Sequence, residues 1–423
     1  MKIEKLVFGG QAIGRDETGK VIFVWNALPG EEVDIEIIKK KKDYTHAVAT
    51  TIHSPSVDRQ APKDDHFLSS AAWQMMSFEA ESKWKCAMAT EAYTKIADMI
   101  MPTNQLTMFT DGVNEGYRNK MEYSFAELPD GTMSLALFAR GGKSKMPVTG
   151  ATIANPLIDS TAAYILTWVN ENQIPIRSLK SVIVRTNTHG EAIAALFIKD
   201  ELDFNDFPAL TETLKGFQLY YSTHKSPASV PTRLMHTEGQ DYLLQDILGT
   251  SLKFGLLSFF QVNVPVFTQA LKDIAAFLDP VAPLIDFYAG VGAIGLPLAK
   301  SRTETILIES NEEAVAYAND NIAQNNIIHA KTHCTPAEKI LDAIASDKQI
   351  IVDPPRAGLH EDVVKELLKK APPKIIYLSC NISTQARDMR MLSSRYKPVF
   401  MKLYNFFPRT PHIEGLVVLE KVV

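Results

Sequence analysis

The chain has 423 residues, of which 46% are apolar and 22% charged, and its formal net charge is −5. This length predicts two or three domains, and the composition excludes a disordered or low-complexity chain. No apolar run is long enough to predict a bilayer span, and the opening MKIEKLVFGG lacks the apolar core of a signal peptide, so the expected location is cytoplasmic.

Residues 1–57 read as all-β. The short apolar runs KLVF, KVIFVW, EVDIEII and HAVATTI are separated by turn signals at Gly9-Gly10, Glu17-Thr18-Gly19 and Pro29-Gly30. Short strands at that spacing predict a small closed barrel. Lys39–Lys42 form a basic run in an otherwise acidic chain, either a solvated strand end or a local anion-binding patch. Residues 58–77 are polar and irregular and read as a linker. A helix is predicted from Phe78 to about Met101. After it, MEYSFAEL, MSLALFA, SVIVRT, EAIAALFI and FQLYYST alternate with a helical stretch near 159–173. Residues 78–249 are therefore expected to form a mixed α/β central domain, with a second basic stretch at Arg140–Lys145.

From 250 to 423 the rhythm changes. PLIDF, TILIE, QIIVD and KIIYLS are each followed by a helical pattern, with a charged stretch before QIIVD. Such runs predict a buried parallel sheet of the Rossmann-like, doubly wound type. PVFMKLYNF and EGLVVLEKV have no helix between them and predict an antiparallel hairpin at one edge.

Ligands of open α/β sheets gather at the carboxyl ends of the strands. The first strand ends in DFYAGVGAIGLPLA, where Gly290, Gly292 and Gly295 give a glycine loop expected to open a helix. The second ends at Glu309, about twenty residues on, where a carboxylate can accept ribose hydroxyls. These two features fit a dinucleotide enzyme and a methyltransferase equally. The third ends in VDPPRAG, with Asp353 on a corner stiffened by Pro354-Pro355. DPP corners also occur in amino-group methyltransferases, usually with an aromatic next; Arg356 stands there instead.

The fourth strand delivers Cys380 to the start of a helix. A thiol there is expected to see unpaired N–H groups and a positive dipole end, which would depress its pKa below the ~8.5 of free cysteine. In FFPRTPHIEGLVVLE, His412 and Glu414 share a face if the stretch is extended, and Glu414 is a candidate general base. In SFFQVN, ahead of a helix at 264–277, Phe259 or Phe260 is a candidate wall for a ring, and Gln261 a candidate partner for a methionine carboxylate or amine. Cys86, Cys334 and Cys380 lie far apart, so neither a disulfide framework nor a metal site is expected.

SFFQVN, DFYAGVGAIGLPLA, VDPPRAG, YLSCN and FPRTPHIE, in that order, resemble the RNA uracil-C5 methyltransferase family. YRNKMEYSF at 117–125 resembles that family's YRNK motif. GGQAIGR and GKVIFVWNALPGEEV in the barrel resemble the TRAM domain, an OB-like RNA-binding fold. The resemblance implies S-adenosylmethionine as methyl donor and RNA, either 23S ribosomal or transfer RNA, as substrate. It implies that Cys380 adds to C6 of a uridine, that Glu414 removes the C5 proton, and that Asp353 contacts the cofactor beside the uracil. Gln261, Tyr288, Gly290, Gly292, Glu309 and Thr335 correspond to cofactor contacts, whereas Ala293 stands where a polar contact is frequent. Many TRAM-bearing members bind an iron–sulfur cluster ahead of a pair matching Trp73-Gln74. Here Lys63, Ser69 and Ala72 stand where the cysteines would fall, so no cluster is expected. The target base must be unpaired or flipped, and the barrel and the central domain (78–249), with Lys39–Lys42, Arg118, Lys120 and Arg140, are expected to bind the RNA backbone. No membrane and no obligate protein partner are expected. Three rivals remain. An amino-group methyltransferase needs neither Cys380 nor Glu414, a non-catalytic RNA-binding protein would bind without methyl transfer, and a nicotinamide enzyme would bind a dinucleotide.

Overall fold

The computed structural model describes residues 1–101, 106–227 and 229–422. The chain forms two compact units. One comprises 1–84, 113–243 and 407–411; the other comprises 85–112, 244–406 and 412–423.

The first unit begins with strands β1 (Ile3–Leu6), β2 (Ala12–Arg15), β3 (Val21–Trp25), β4 (Glu32–Lys40) and β5 (Tyr44–Ser54), in sheet order β1-β2-β3-β5-β4. The alternation read in the sequence turns Ile22, Val24, Val33 and Ala47 inward. A bridge between Lys2 and Glu32 and the Ile3 N–H to Glu31 carbonyl bond of 2.9 Å join the outer strands, closing the expected barrel. Lys39, Lys40, Lys41 and Lys42 are all exposed at the tip of β4. The Glu31 carboxylate is fully buried and accepts from Arg59 Nε at 2.5 Å and from the Leu28 N–H at 2.8 Å, tying the barrel to the segment that begins at residue 58.

Within 58–77, helix α1 (Phe67–Ser70) leads into a buried run from Ala71 to Met76, and Trp73 Nε1 donates to the Gly10 carbonyl at 3.1 Å. Gln74 Oε1 accepts from the Lys63 and Asp64 N–H groups, and its Nε2 donates to Asp64 at 2.8 Å and Thr152 at 2.7 Å. Amide–carboxylate bonds thus fasten the segment where Lys63, Ser69 and Ala72 stand. Those side chains offer no thiolate, and an iron–sulfur cluster does not fit them.

Helix α2 (Phe78–Ile96) and the short strand β6 (Met108–Phe109) come next. The first unit then continues with β7 (Lys120–Glu127), β8 (Met133–Phe138), β9 (Lys145–Pro147), α3 (Pro156–Glu171), β10 (Leu179–Thr186), β11 (Ala192–Ile198), β12 (Leu214–Tyr221) and β13 (Arg233–Gly239). These strands form one sheet in the order β13-β12-β11-β10-β7-β8-β9. Asn155 caps α3 by accepting from the Leu157 N–H, with Pro156 pre-set for the first turn. The buried face of α3, with Ile158, Ala162 and Ile165, joins Tyr123, Phe125, Val182, Val184 and Leu196 in one core. Arg140, expected on RNA, is engaged within this unit: its guanidinium stacks on Trp25 at 4.6 Å and donates to the Leu68 carbonyl.

The second unit holds β15 (Thr250–Gly255), which pairs with β14 (Tyr242–Ile247), then α4 (Val264–Phe277), β16 (Leu284–Phe287), β17 (Thr305–Glu309), α5 (Glu312–Gln324) and β18 (Ala330–Cys334). It continues with β19 (Gln349–Val352), α6 (Glu361–Lys370), β20 (Lys374–Ser379), α7 (Ile382–Leu392), β21 (Tyr396–Tyr404) and β22 (Glu414–Lys421). The sheet order is β18-β17-β16-β19-β20-β22-β21-β6, with β16 to β20 parallel and the β21–β22 hairpin antiparallel, as expected.

Three features differ from expectation. The stretch after β16 is a chain of turns, with Leu296 N–H to Gly292 and Leu298 N–H to Gly295 carbonyl bonds, and no regular helix. Positive φ at Gly290 (55°) and Gly292 (85°) and the missing N–H of Pro297 prevent regular winding. The charged stretch before β19 contains the edge strand β18, whose AKTHC sequence needs little apolar surface because it is only partly buried. The two-residue β6 pairs parallel to β21 at the opposite edge.

Candidate active site

The sheet fixes where the site lies. From β16 the chain moves outward through β17 to β18, then returns to β19 on the other side of β16. The crevice at such a switch point, at the carboxyl ends of β16 and β19, is where a ligand is received. Tyr288 and Asp353 stand one residue beyond those ends, in a register where Phe287 pairs with Val352.

The glycine loop leaves β16 with Tyr288 at φ 63°, a left-handed conformation unusual for a bulky residue. A Cβ on Gly290 would meet nothing within 4 Å, so the loop faces open space there. On Gly295 it would lie 2.8 Å from Asp286 Oδ2, so that position needs glycine for close packing. The Gly290 N–H donates to Glu309 Oε2 at 3.0 Å, while Glu309 Oε1 accepts from the Ser310 N–H at 2.7 Å and the Asn311 N–H at 2.8 Å. Glu309 thus joins the ends of β16 and β17 through three backbone donors. The Thr335 N–H donates to the Glu309 carbonyl at 2.8 Å, which brings Thr335 to the same rim. Gln261 is 5% exposed, ahead of Asn263, the N-cap of α4. Phe260 is core, stacked on Phe254 at 4.2 Å, whereas Phe259 is 71% exposed.

The other half of the site is set by strand register. In the β20–β22 pair Ser379 lies opposite Gly415, so the next residues, Cys380 and Glu414, face each other across the strand ends. Both interact electrostatically with Asp353. Gln385 holds this junction: its Nε2 donates to the Tyr377 carbonyl at 2.9 Å and the Gly415 carbonyl at 3.0 Å, and its Oε1 accepts from Tyr93 Oη at 2.6 Å. His412 is exposed ahead of β22 and meets Arg356 Nη2 at 3.5 Å, while Glu414 is buried.

The expectation of a depressed thiol is corrected. Burial, and then the charges of Glu414 and Asp353, push the Cys380 thiol up to about 11, opposed by Arg356, which lies within hydrogen-bonding reach. The helix does not offset this, because Asn381 is the N-cap of α7 and its Oδ1 already accepts from the Ser383 and Thr384 N–H groups. Burial also pushes Asp353 up to about 7, and burial with the Asp353 charge raises Glu414 well above the carboxylate range. Asp286 is fully buried and pushed up to about 8 by desolvation. Its Oδ2 accepts from the Gly295 N–H at 2.8 Å; among the described residues its Oδ1 has no hydrogen-bond partner, and neither does Glu414 Oε1. The strand ends thus carry a cluster of acids, with Asp286 and Glu414 buried and Asp353 half-buried, beside a half-buried thiol.

The structure brings Asp353, Cys380 and Glu414 together at one set of strand ends and places Tyr288, Gly290, Gly292, Glu309 and Thr335 along the adjoining rim. Sequence reasoning missed Asp286, Arg356 as the thiol's neighbouring cation, and the Gln385–Tyr93 brace. Only Asp286 carried a signal, as a carboxylate inside an apolar strand. Among the described residues no helix is long and apolar enough to cross a membrane, and no group of three or more His, Cys, Asp or Glu is arranged to hold a metal ion.

Comparison with known proteins identifies the family and the fold. A TRAM domain profile matches residues 1–50, and a profile described as tRNA (Uracil-5-)-methyltransferase matches residues 87–422. An uncharacterized RNA methyltransferase of Nitratidesulfovibrio vulgaris is 26% identical over 455 aligned residues, covering 99% of this chain and 95% of that protein. One from Caldanaerobacter subterraneus subsp. tengcongensis is 28% identical over 444, covering 100% and 98%. The crystal structure of Pyrococcus abyssi tRNA (uracil-54, C5)-methyltransferase in complex with S-adenosyl-L-homocysteine has the same fold, with a TM-score of 0.80 at 21% identity over 99% of both chains. With a profile match over more than half its length, the chain belongs to the tRNA (uracil-5-)-methyltransferase family and carries an N-terminal TRAM domain.

Proposed function

We propose that this protein transfers a methyl group from S-adenosylmethionine to C5 of a uridine in transfer or 23S ribosomal RNA, through a transient bond between Cys380 and C6. The observation that carries this reading is the strand register that sets Cys380 opposite Glu414 beside Asp353. The strand ends suit the donor: Asp353 and Glu414 make them acidic, and the adjoining loop faces open space at Gly290. Gln261, Tyr288, Gly290, Gly292, Glu309, Thr335 and Asp353 are the residues that would hold it. When bound, it supplies an electrophilic methyl group next to a cationic sulfur, which carboxylates favour.

A uracil ring carbon is a weak nucleophile until a thiolate adds beside it. Cys380 Sγ gives an electron pair to C6, and the C5=C6 pair moves toward C4–O4. C5 then takes the methyl group, and the donor's sulfur keeps the bonding pair. Glu414 accepts the C5 proton, C5=C6 re-forms, and Cys380 leaves as thiolate. Because the thiol is pushed up to about 11, its proton passes to solvent water before addition, leaving Glu414 to accept the C5 proton.

The test is RNA carrying 5-fluorouridine, from which no C5 proton can be removed. A stable protein–RNA adduct at Cys380 is expected in the presence of the donor. Its absence in a protein that turns over unmodified RNA overturns the mechanism. Cys380→Ala should lose turnover by on the order of a thousandfold or more. Labelled S-adenosylmethionine with total RNA, followed by mapping of the modified uridine, decides between transfer and ribosomal substrates.

A further inference from the structure

The central sheet carries a groove lined by none of the residues of the candidate active site. Its core face packs on α3 through Tyr123, Phe125 and Val182. Side chains alternate along a strand, so Ser124 and Ser181, whose strands pair Tyr123 with Val182, lie on the opposite face. There a groove of about 570 Å³ is bounded by Phe138, Lys145, Lys180 and Lys199. Phe138 is 51% exposed, with the Lys145 ammonium 5.6 Å from its ring centroid.

The three ammonium groups differ in what they do. Lys145 Nζ donates to the Phe125 carbonyl at 2.8 Å, and Lys180 Nζ donates to Ser222 at 2.7 Å and to the Thr223 and Ser226 carbonyls at 2.9 Å. Lys199 Nζ makes no hydrogen bond or ion pair among the described residues, although two cations stand near it. Burial, and then the Lys199 charge, hold the Lys145 and Lys180 ammonium groups below the usual lysine range. Among the described residues Glu122 is the acid lining the groove, and it already accepts from Ser229 Oγ; Asp200 is paired with the lining His224 at 3.3 Å. Crowded cations with an unpaired member favour an anion, and an exposed ring beside them favours a planar partner. A single RNA strand offers both at once, phosphates for the lysines and a base face for the ring.

We propose that this groove binds a single-stranded segment of the substrate RNA outside the target uridine, with Lys199 on a phosphodiester and Phe138 stacked on a base. This rests on the proposed action on RNA, and its test does not use methyl transfer. The full-length protein is titrated with a fluorescently labelled, unstructured 20-nucleotide RNA at several salt concentrations, together with Lys199→Gln, Lys199→Arg and Phe138→Ala. Lys199→Gln should weaken binding and make the slope of log affinity against log salt shallower by about 0.7, the share of one phosphate contact in a single strand. Lys199→Arg should keep the wild-type slope. Phe138→Ala should weaken binding at least about fivefold with little change of slope, because stacking releases no counterions.

Wild-type affinity and slope in Lys199→Gln and Phe138→Ala overturn the proposal while leaving the methyltransferase reading intact. Failure of the wild type to bind any RNA overturns both. Inhibition of RNA binding by free inorganic phosphate at equal concentration of phosphate groups, with Phe138→Ala unchanged, assigns the groove to a simple anion and also overturns it.

Discussion

At the scale of single residues, position in the fold outweighs residue type. Cys380 was legible in the sequence because a strand end, a helix start and a cysteine coincide. Its raised thiol was not, because burial and the approach of Glu414 and Asp353 come from strands distant in sequence. The kinetic consequence has a definite sign. With the Cys380 thiol pushed up to about 11, single-turnover adduct formation should accelerate as pH rises toward that value. Asp353→Asn removes a charge that raises Cys380, so the rising limb should move to lower pH even as the maximal rate falls. Rapid-quench measurement of a limb that stays in place would contradict this electrostatic account. Asp286 gives a stability prediction. Its folded value is about 8 against an ordinary 3.8, so between those values the unfolded chain releases a proton that the folded chain keeps. Native stability therefore falls as pH rises through that window, by an amount on the order of a few kcal/mol. Asp286→Asn should raise the melting temperature more at pH 8 than at pH 5; equal shifts at both would show that the carboxyl does not titrate there.

At the scale of elements, the parallel strands β16, β17, β19 and β20 were plain from their apolar runs, as was the terminal hairpin. The edge strands β6 and β18 were not: β6 has only two residues, too few to show a period, and β18 is only partly buried and carries little apolar signal. The absent helix after β16 has another cause: the same glycines that let the backbone approach a ligand make regular winding costly. The junction of β20 and β22 depends on packing that no local pattern reveals. A Cβ on Gly415 would lie 2.6 Å from Ile382 Cδ1, 2.8 Å from Gln385 Oε1 and 2.9 Å from Tyr93 Oη. Gly415→Ala must displace the brace that registers Cys380 against Glu414. We expect it to destabilise the protein by on the order of 2 kcal/mol and to lower the maximal rate much more than it weakens RNA binding. Gln385→Leu should act alike, leaving the Tyr377 and Gly415 carbonyls and the Tyr93 hydroxyl short of a partner. Denaturant melts with steady-state kinetics separate the two effects; a normal maximal rate in both variants would remove the brace from the catalytic account.

At the scale of the whole molecule, the net charge of −5 conceals how its parts divide the work. The acidic residues at the strand ends, Asp286, Glu309, Asp353 and Glu414, belong to the second unit. The barrel of the first unit ends in four exposed lysines, and Lys20 Nζ, bound to the Lys41 carbonyl at 2.7 Å, adds a fifth cation to that tip. Averaged charge predicts neither feature; the barrel's TRAM pattern and the lysine run together do. If the tip holds RNA through phosphates, its contribution is electrostatic and sequence-independent. Replacing Lys39, Lys40, Lys41 and Lys42 with glutamine should then weaken binding of substrate RNA most at low salt and flatten the salt dependence, by about 0.7 to 0.9 in slope for each phosphate no longer neutralised. The maximal rate at saturating RNA should stay near wild type, because the pocket around Cys380 is untouched. A filter-binding titration with an unchanged slope would return the lysines to the role of a solvated strand end, and a collapse of the saturated rate would show that the tip acts on the chemistry and not on capture.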